Sequence, residues 1–100
     1  MIRHIVSWNY KSGFPESQNK ENARKIKDGL ESLVNEIDGI VELKVNIDVL
    51  PSSDMDIVLN SLFESDKALA AYQVHPEHKH IASFVSSVTE NRVCIDYYEY

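Results

Sequence analysis

Between Val41 and Val49 the chain alternates without a break, Val41, Leu43, Val45, Ile47 and Val49 against Glu42, Lys44, Asn46 and Asp48. A period of two with one apolar and one charged face demands a strand in a sheet covered on one side only. A lone strand or hairpin is marginal in water, so the rest of the chain must supply partners and a cover. Ile2–Tyr10 is one partner: Ile2, His4, Val6, Trp8 and Tyr10 share one face, and Arg3, Ile5, Ser7 and Asn9 the other. Met55–Phe63 follows the loop Pro51–Asp54 and reads as the hairpin partner of the alternating strand. Asn91–Tyr98 reads as the last strand.

The cover is written in a different period. Ala23, Ile26, Leu30, Leu33, Val34 and Ile37 form one apolar stripe, which predicts a helix from Glu16 to about Asp38. Pro15 suits the first helical position, and Gly39 stands where a glycine would end the helix. Gly29, inside it, costs about 1 kcal/mol relative to alanine. Ser65 is a good N-cap for a second helix through Ala68, Leu69 and Tyr72. Pro76 forces His75 out of helical backbone, so that helix breaks near Val74–His75. A new helix from Pro76 would bury Ile81, Phe84, Val85 and Val88. The order β-α-β-β-α-β, with its second helix broken, predicts an α+β, ferredoxin-like fold: a four-stranded antiparallel sheet with helices on one face. Residues 1–100 form a single domain, because a chain this short has room for one core.

Charge and cysteine content narrow the partners. Sixteen acidic residues against ten basic ones leave a net charge of −6, which opposes non-specific binding to nucleic acid or to an anionic membrane. Neither is expected as a partner. Cys94 is the only cysteine, so no intrachain disulfide can form. Arg3 and His4 interrupt any apolar leader, and no stretch reaches the roughly 18 apolar residues of a membrane span. A cytoplasmic protein is expected.

Helices can cover only one sheet face, so the other must meet water, a ligand or another chain. On the first strand both faces carry apolar residues, and the one that mixes Ile2, Val6 and Trp8 with His4 suits an amphipathic cavity or interface better than open solvent. The expectation is a homodimer with the two open sheet faces turned together.

The chemistry-bearing run is Tyr72-Gln73-Val74-His75-Pro76-Glu77-His78, at the helix break. Tyr72, His75 and His78 are spaced by three, which puts them on one side of a roughly helical chain. His78 falls in the first turn of the new helix, where the dipole disfavours imidazolium and keeps a neutral base available. A neutral imidazole beside a phenol can take a proton from a carbon acid while the phenol steadies charge on a carbonyl oxygen. The plainer reading is a capping histidine, a buried tyrosine and a proline-stopped helix. His4 reads equally as a hydrogen-bonded core histidine. His75, His78 and His80 match no strong zinc spacing, so no metal is expected. Cys94 has no visible activating base and reads as packing. Asp56 and Asp96 have possible strand positions without visible partners.

The opening Met-Ile-Arg-His-Ile-Val, the Phe63-Glu64-Ser65 before Ala68-Leu69, Ala71-Tyr72 and His75-Pro76-Glu77-His78, and the closing Arg92-Val93-Cys94-Ile95-Asp96-Tyr97 resemble the stress-responsive A/B barrel (Dabb) family over essentially the whole chain. The resemblance implies a dimeric α/β barrel in which each protomer keeps its own cavity. Plant members of that family include polyketide cyclases that close a poly-β-keto thioester by intramolecular aldol condensation, without a cofactor. By motif position their acid–base residues fall on Tyr72 and His78, with His4 lining the pocket. His75 then becomes a capping residue, and Trp8 shares the strand face of His4. Three functions follow from the resemblance: a dimeric small-molecule-binding domain, a cofactor-independent cyclase-like enzyme, or a cofactor-free monooxygenase-like protein.

Overall fold

The computed structural model describes all 100 residues. Strands β1 (Ile2–Tyr10), β2 (Ile40–Asn46), β3 (Ile57–Phe63) and β4 (Thr89–Tyr98) alternate with helices α1 (Glu16–Glu31), α2 (Asp66–Val74) and α3 (Pro76–Val88). The sheet order is β2-β3-β1-β4 and every pairing is antiparallel, as the split β-α-β pattern requires. No helix is long and apolar enough to cross a membrane.

The α1 stripe continues past the helix as a tighter 3₁₀ turn, Ser32–Asn35, rather than as α-helix to Asp38. The change of pitch keeps Leu33 and Ile37 buried while leaving Val34 exposed. Gly39 then takes a left-handed φ of 92°, and a Cβ there would lie 2.7 Å from that of Ala68. Two constraints therefore select glycine at this turn. Gly29 is more than a weak point: a Cβ would come within 2.4 Å of Ile81 Cδ1, so the glycine lets α3 approach α1 closely.

The alternating strand is shorter than its pattern. A register shift between Ile40 and Glu42 turns Val41 outward, and the β2 ladder stops at Asn46, leaving Ile47 packed on the core from a loop. β3 begins at Ile57, just after Asp56, whose N–H donates to the Trp8 carbonyl at 3.0 Å and whose carboxylate accepts the Tyr10 N–H at 2.9 Å. Leu43 and Val45, Ile57, Leu59 and Phe63, and Ile2, Val6 and Trp8 point to one side and form the core with α1–α3.

That side settles the orientation of β1. The face carrying Ile2, His4, Val6 and Trp8 is not the open one: all four are buried beneath the helices. The open face carries Arg3, Ile5 and Ser7, paired across β4 with Tyr97, Ile95 and Val93. Tryptophan, isoleucine and valine are better buried against helices than rimmed by water, which is why the larger set turned inward.

Candidate functional site

The broken helix brings the site together. Ser65 caps α2 by accepting the Ala68 N–H at 3.0 Å, and the helix then delivers Tyr72, fully buried, against Phe63 with ring centroids 4.8 Å apart. At the break, His75 is extended (φ −66°, ψ 135°), and its Nδ1 accepts the Glu77 N–H at 3.1 Å. His75 is thus the N-cap of α3 and does not line the cavity that the other candidates border. The kink returns the chain so that His78 lies on Tyr72, with centroids 4.3 Å apart. His4 stands edge-on to Tyr72, with ring centroids 6.3 Å apart. The equal spacing of Tyr72, His75 and His78 suggested one common direction; the proline-enforced kink keeps Tyr72 and His78 together and removes His75.

These rings border a cavity of about 120 Å³ between the sheet and the helices. Val6, Trp8 and Leu59 line its sheet side, Leu30, Ala82 and Val85 its helical side. Its polar lining is His4, Tyr72, His78, Ser86 and Arg92. Trp8 is therefore a wall of the cavity, on the covered face of the sheet rather than the open one.

Two of these groups, His78 and Tyr72, are held in a definite state. Nδ1 of His78 lies 3.3 Å from the carbonyl of Gln73. A carbonyl can only accept, so Nδ1 carries the proton and Nε2 the lone pair. Burial lowers the His78 pKa; the Gln73 carbonyl opposes it, and the nearby Arg92 guanidinium adds to the lowering. Desolvation rather than the helix dipole is the main cause, and the ring is neutral near pH 7. Tyr72 is raised well above the ordinary phenol value by burial alone, so its hydroxyl stays protonated. No protein group accepts a hydrogen bond from that hydroxyl. A buried donor without a partner in the protein is uncommon; Asn22 Nδ2 on α1 is another, but only the Tyr72 hydroxyl belongs to a residue that lines the cavity.

His4 has the partner that the sequence did not reveal. Its Nδ1 donates to Asp96 Oδ1 at 2.5 Å, across the β1–β4 pair in which the two residues stand opposite each other. The carboxylate fixes the ring's orientation and tautomer, leaving Nε2 as the acceptor. Cys94, two residues along the same face of β4, is exposed rather than packed, with Sγ 3.8 Å from His4 Nδ1. His4, Cys94 and Asp96 bring metal-binding atoms within 4.8 Å of one another, whereas His75, His78 and His80 form no such group. The His4–Asp96 hydrogen bond engages two of those atoms with each other, so the arrangement first serves to hold His4.

The cavity also contains Arg92, which sequence reasoning passed over. Its signal lies in a bulge: Asn91 and Arg92 stand opposite Trp8 alone, and Asn91 adopts a left-handed φ of 57°.

A neutral histidine with a free Nε2, a buried phenol with a free proton, and a carboxylate-held histidine share one small, mostly apolar chamber. Such a set can bind a carbonyl oxygen and move a proton at the adjacent carbon.

Comparison with known proteins places this arrangement in context. The chain superposes on a dimeric, ferredoxin-like protein from Bacteroides fragilis with a TM-score of 0.89, at 26% identity over 96% of this chain and 93% of that one. A Dabb family protein from Mesorhizobium loti matches at TM-score 0.74 and 21% identity, over 99% and 96% of the two chains. A hydroxynitrile lyase from Passiflora edulis matches at TM-score 0.73 and 22% identity, over 96% and 90%. No curated protein matches by sequence. The family model described as the stress responsive A/B barrel domain matches residues 2–99, and the chain belongs to that family, Dabb.

Proposed function

We propose that this protein is a homodimeric small-molecule-binding domain whose cavity binds a carbonyl compound and promotes proton transfer at the carbon beside the carbonyl, without a cofactor. The observation that carries the reading is the buried Tyr72 hydroxyl, protonated and without a partner in the protein, beside a neutral His78. The substrate's carbonyl oxygen accepts from Tyr72. Nε2 of His78 takes the proton from the adjacent carbon, and the negative charge that develops on oxygen is steadied by the phenol. His4, oriented by Asp96, completes the polar end of the chamber. A cyclase would use the resulting carbanion on an internal carbonyl, and a lyase would run the related cleavage. The fold of the Passiflora hydroxynitrile lyase is compatible with chemistry of this class.

Dimerisation is supported by the open face and by the dimeric state of proteins with this fold from Bacteroides fragilis, Thermobifida fusca and Jannaschia. Val93, Ile95 and Tyr97 are 48%, 53% and 46% exposed on that face, beside Ile5 and Val58. A contiguous apolar strip of this kind is unusual on a monomer. A second copy laid face to face would cover it and leave the chamber, on the other side of the sheet, intact.

The test is deuterium incorporation beside the carbonyl of butan-2-one in D₂O, followed by NMR. The wild type should accelerate exchange, and His78→Gln should reduce the enzymatic rate by roughly 10²- to 10⁴-fold. Tyr72→Phe should weaken both binding and exchange. If ketones shift the melting temperature of all three proteins equally and none exchanges faster than free imidazole at equal concentration, proton transfer is wrong and a binding role alone remains.

A further inference from the structure

We infer that the ligand of this chamber carries an anionic group, and that Arg92 recognises it: the site is built for a small keto acid rather than a neutral ketone. The inference rests on the reading of the cavity as a carbonyl site and adds the second recognition group.

Four observations converge. No carboxylate lines the cavity, although the chain as a whole carries a net charge of −6. Asp96, which stands opposite His4 on β4, is already engaged by His4. Arg92 is the cavity's one permanent cation and makes no ion pair, whereas Arg3, elsewhere on the sheet, is fully engaged by Glu42 and Glu99. The bulge that sets Asn91 and Arg92 against Trp8 lies at the cavity's edge, a place where such irregularities re-aim side chains. Asn91 holds it there by donating its side-chain amide to Asn9 Oδ1 at 3.2 Å.

The lining is also ordered by depth. Tyr72 and His4 are buried, while Ser86 and Arg92 are exposed at the mouth. A ligand entering with its carbonyl toward Tyr72 would leave its other end beside Ser86 and the guanidinium. Arginine's fork suits a carboxylate in both geometry and charge. The chamber, about 120 Å³, is well below the roughly 300–1,000 Å³ of sites for drug-sized molecules, which selects a short carbon chain between the two groups.

The experiment compares anion with isosteric neutral amide: acetoacetate against acetoacetamide, and 4-oxopentanoate against 4-oxopentanamide, with dissociation constants measured by NMR titration on the full chain. In the wild type at least one acid should bind about tenfold more tightly than its amide, the lower end of what a charge-assisted hydrogen bond gives at a partly solvated site. Arg92→Gln should remove that preference while leaving the amide's affinity within about twofold, since a neutral ligand gains little from the guanidinium. Lys67→Gln, an exposed cation on α2, should leave the preference in place. Equal binding of acid and amide, or a preference that survives Arg92→Gln, overturns the role of Arg92 while leaving the carbonyl site standing. Binding of neither member of either pair overturns both.

Discussion

The two faces of the sheet carry opposite mismatches between chemistry and environment. Beneath the helices, a predominantly apolar layer is interrupted by buried His4, Ser61 and the Tyr72 hydroxyl. On the open side, Val93, Ile95 and Tyr97 face outward, with Arg3 bridging Glu42 and Glu99 near one end. Consecutive residues of β1 show the difference most directly. Arg3 forks onto Glu99 at 2.9 and 2.7 Å and also reaches Glu42 and Asn60, which leaves it little capacity for a further partner. His4, pointing the other way, gives one nitrogen to Asp96 and keeps the other. Ser61 on the covered face is satisfied, donating to the His4 carbonyl at 2.7 Å, whereas Asn22 Nδ2 on α1 is buried and unpaired like the Tyr72 hydroxyl. Unmatched polarity beside a cavity, as at Tyr72, suits a small ligand. Unmatched apolarity on an open layer calls for another protein surface.

If that division is right, damage to one face should spare the other. The larger effect is expected on the open face. Ile95→Lys places a charge at the centre of the proposed dimer contact and should weaken dimerisation by about 100-fold or more, read by sedimentation at varied concentration. Ketone binding per protomer should be retained, because residue 95 does not line the chamber. A dimer that tolerates lysine there would remove the open face as the interface.

A smaller effect distinguishes the covered face by pH. His78 has a folded-state pKa below its ordinary value of 6.5, so the unfolded chain binds more protons at this position in the window just below pH 6.5. The stability it contributes is present above that pH and is lost as pH falls through the folded-state value. His78→Gln should therefore flatten part of the acid limb of a denaturation series between pH 7 and 5, whereas Ile95→Lys should leave the slope from His78 unchanged. An unaltered slope in His78→Gln would mean that the ring is not desolvated in solution.

Much of this was legible in the sequence because it depends on short-range period. Alternation at 41–49, the stripe through Ala23, Ile26 and Leu30, and the stop at Pro76 define the elements and their order. The grouping of His4 with Tyr72 and His78 came from motif resemblance, and the structure brings all three to one cavity. What stayed hidden depends on register between distant strands. Asp96 meets His4 only because β1 and β4 pair with those two residues opposite, and no local pattern specifies that alignment. Arg92 depends on a one-residue bulge at Asn91. Gly29 read as a helix defect because the crossing of α3 over α1 cannot be seen from α1 alone. The inward turn of the His4–Trp8 face was a global choice, made by the total apolar area that the helices could cover.

The central claim is that the Tyr72 hydroxyl is kept for a ligand and contributes nothing to holding the fold. Equilibrium urea denaturation of Tyr72→Phe, paired with ketone titration, tests it most directly. Removing a buried donor that lacks a protein partner should leave stability unchanged or raise it by up to about 2 kcal/mol, while ketone binding is lost or sharply weakened. A stability loss of more than about 1 kcal/mol with binding unaltered would mean that the hydroxyl makes a structural hydrogen bond, and would contradict the account.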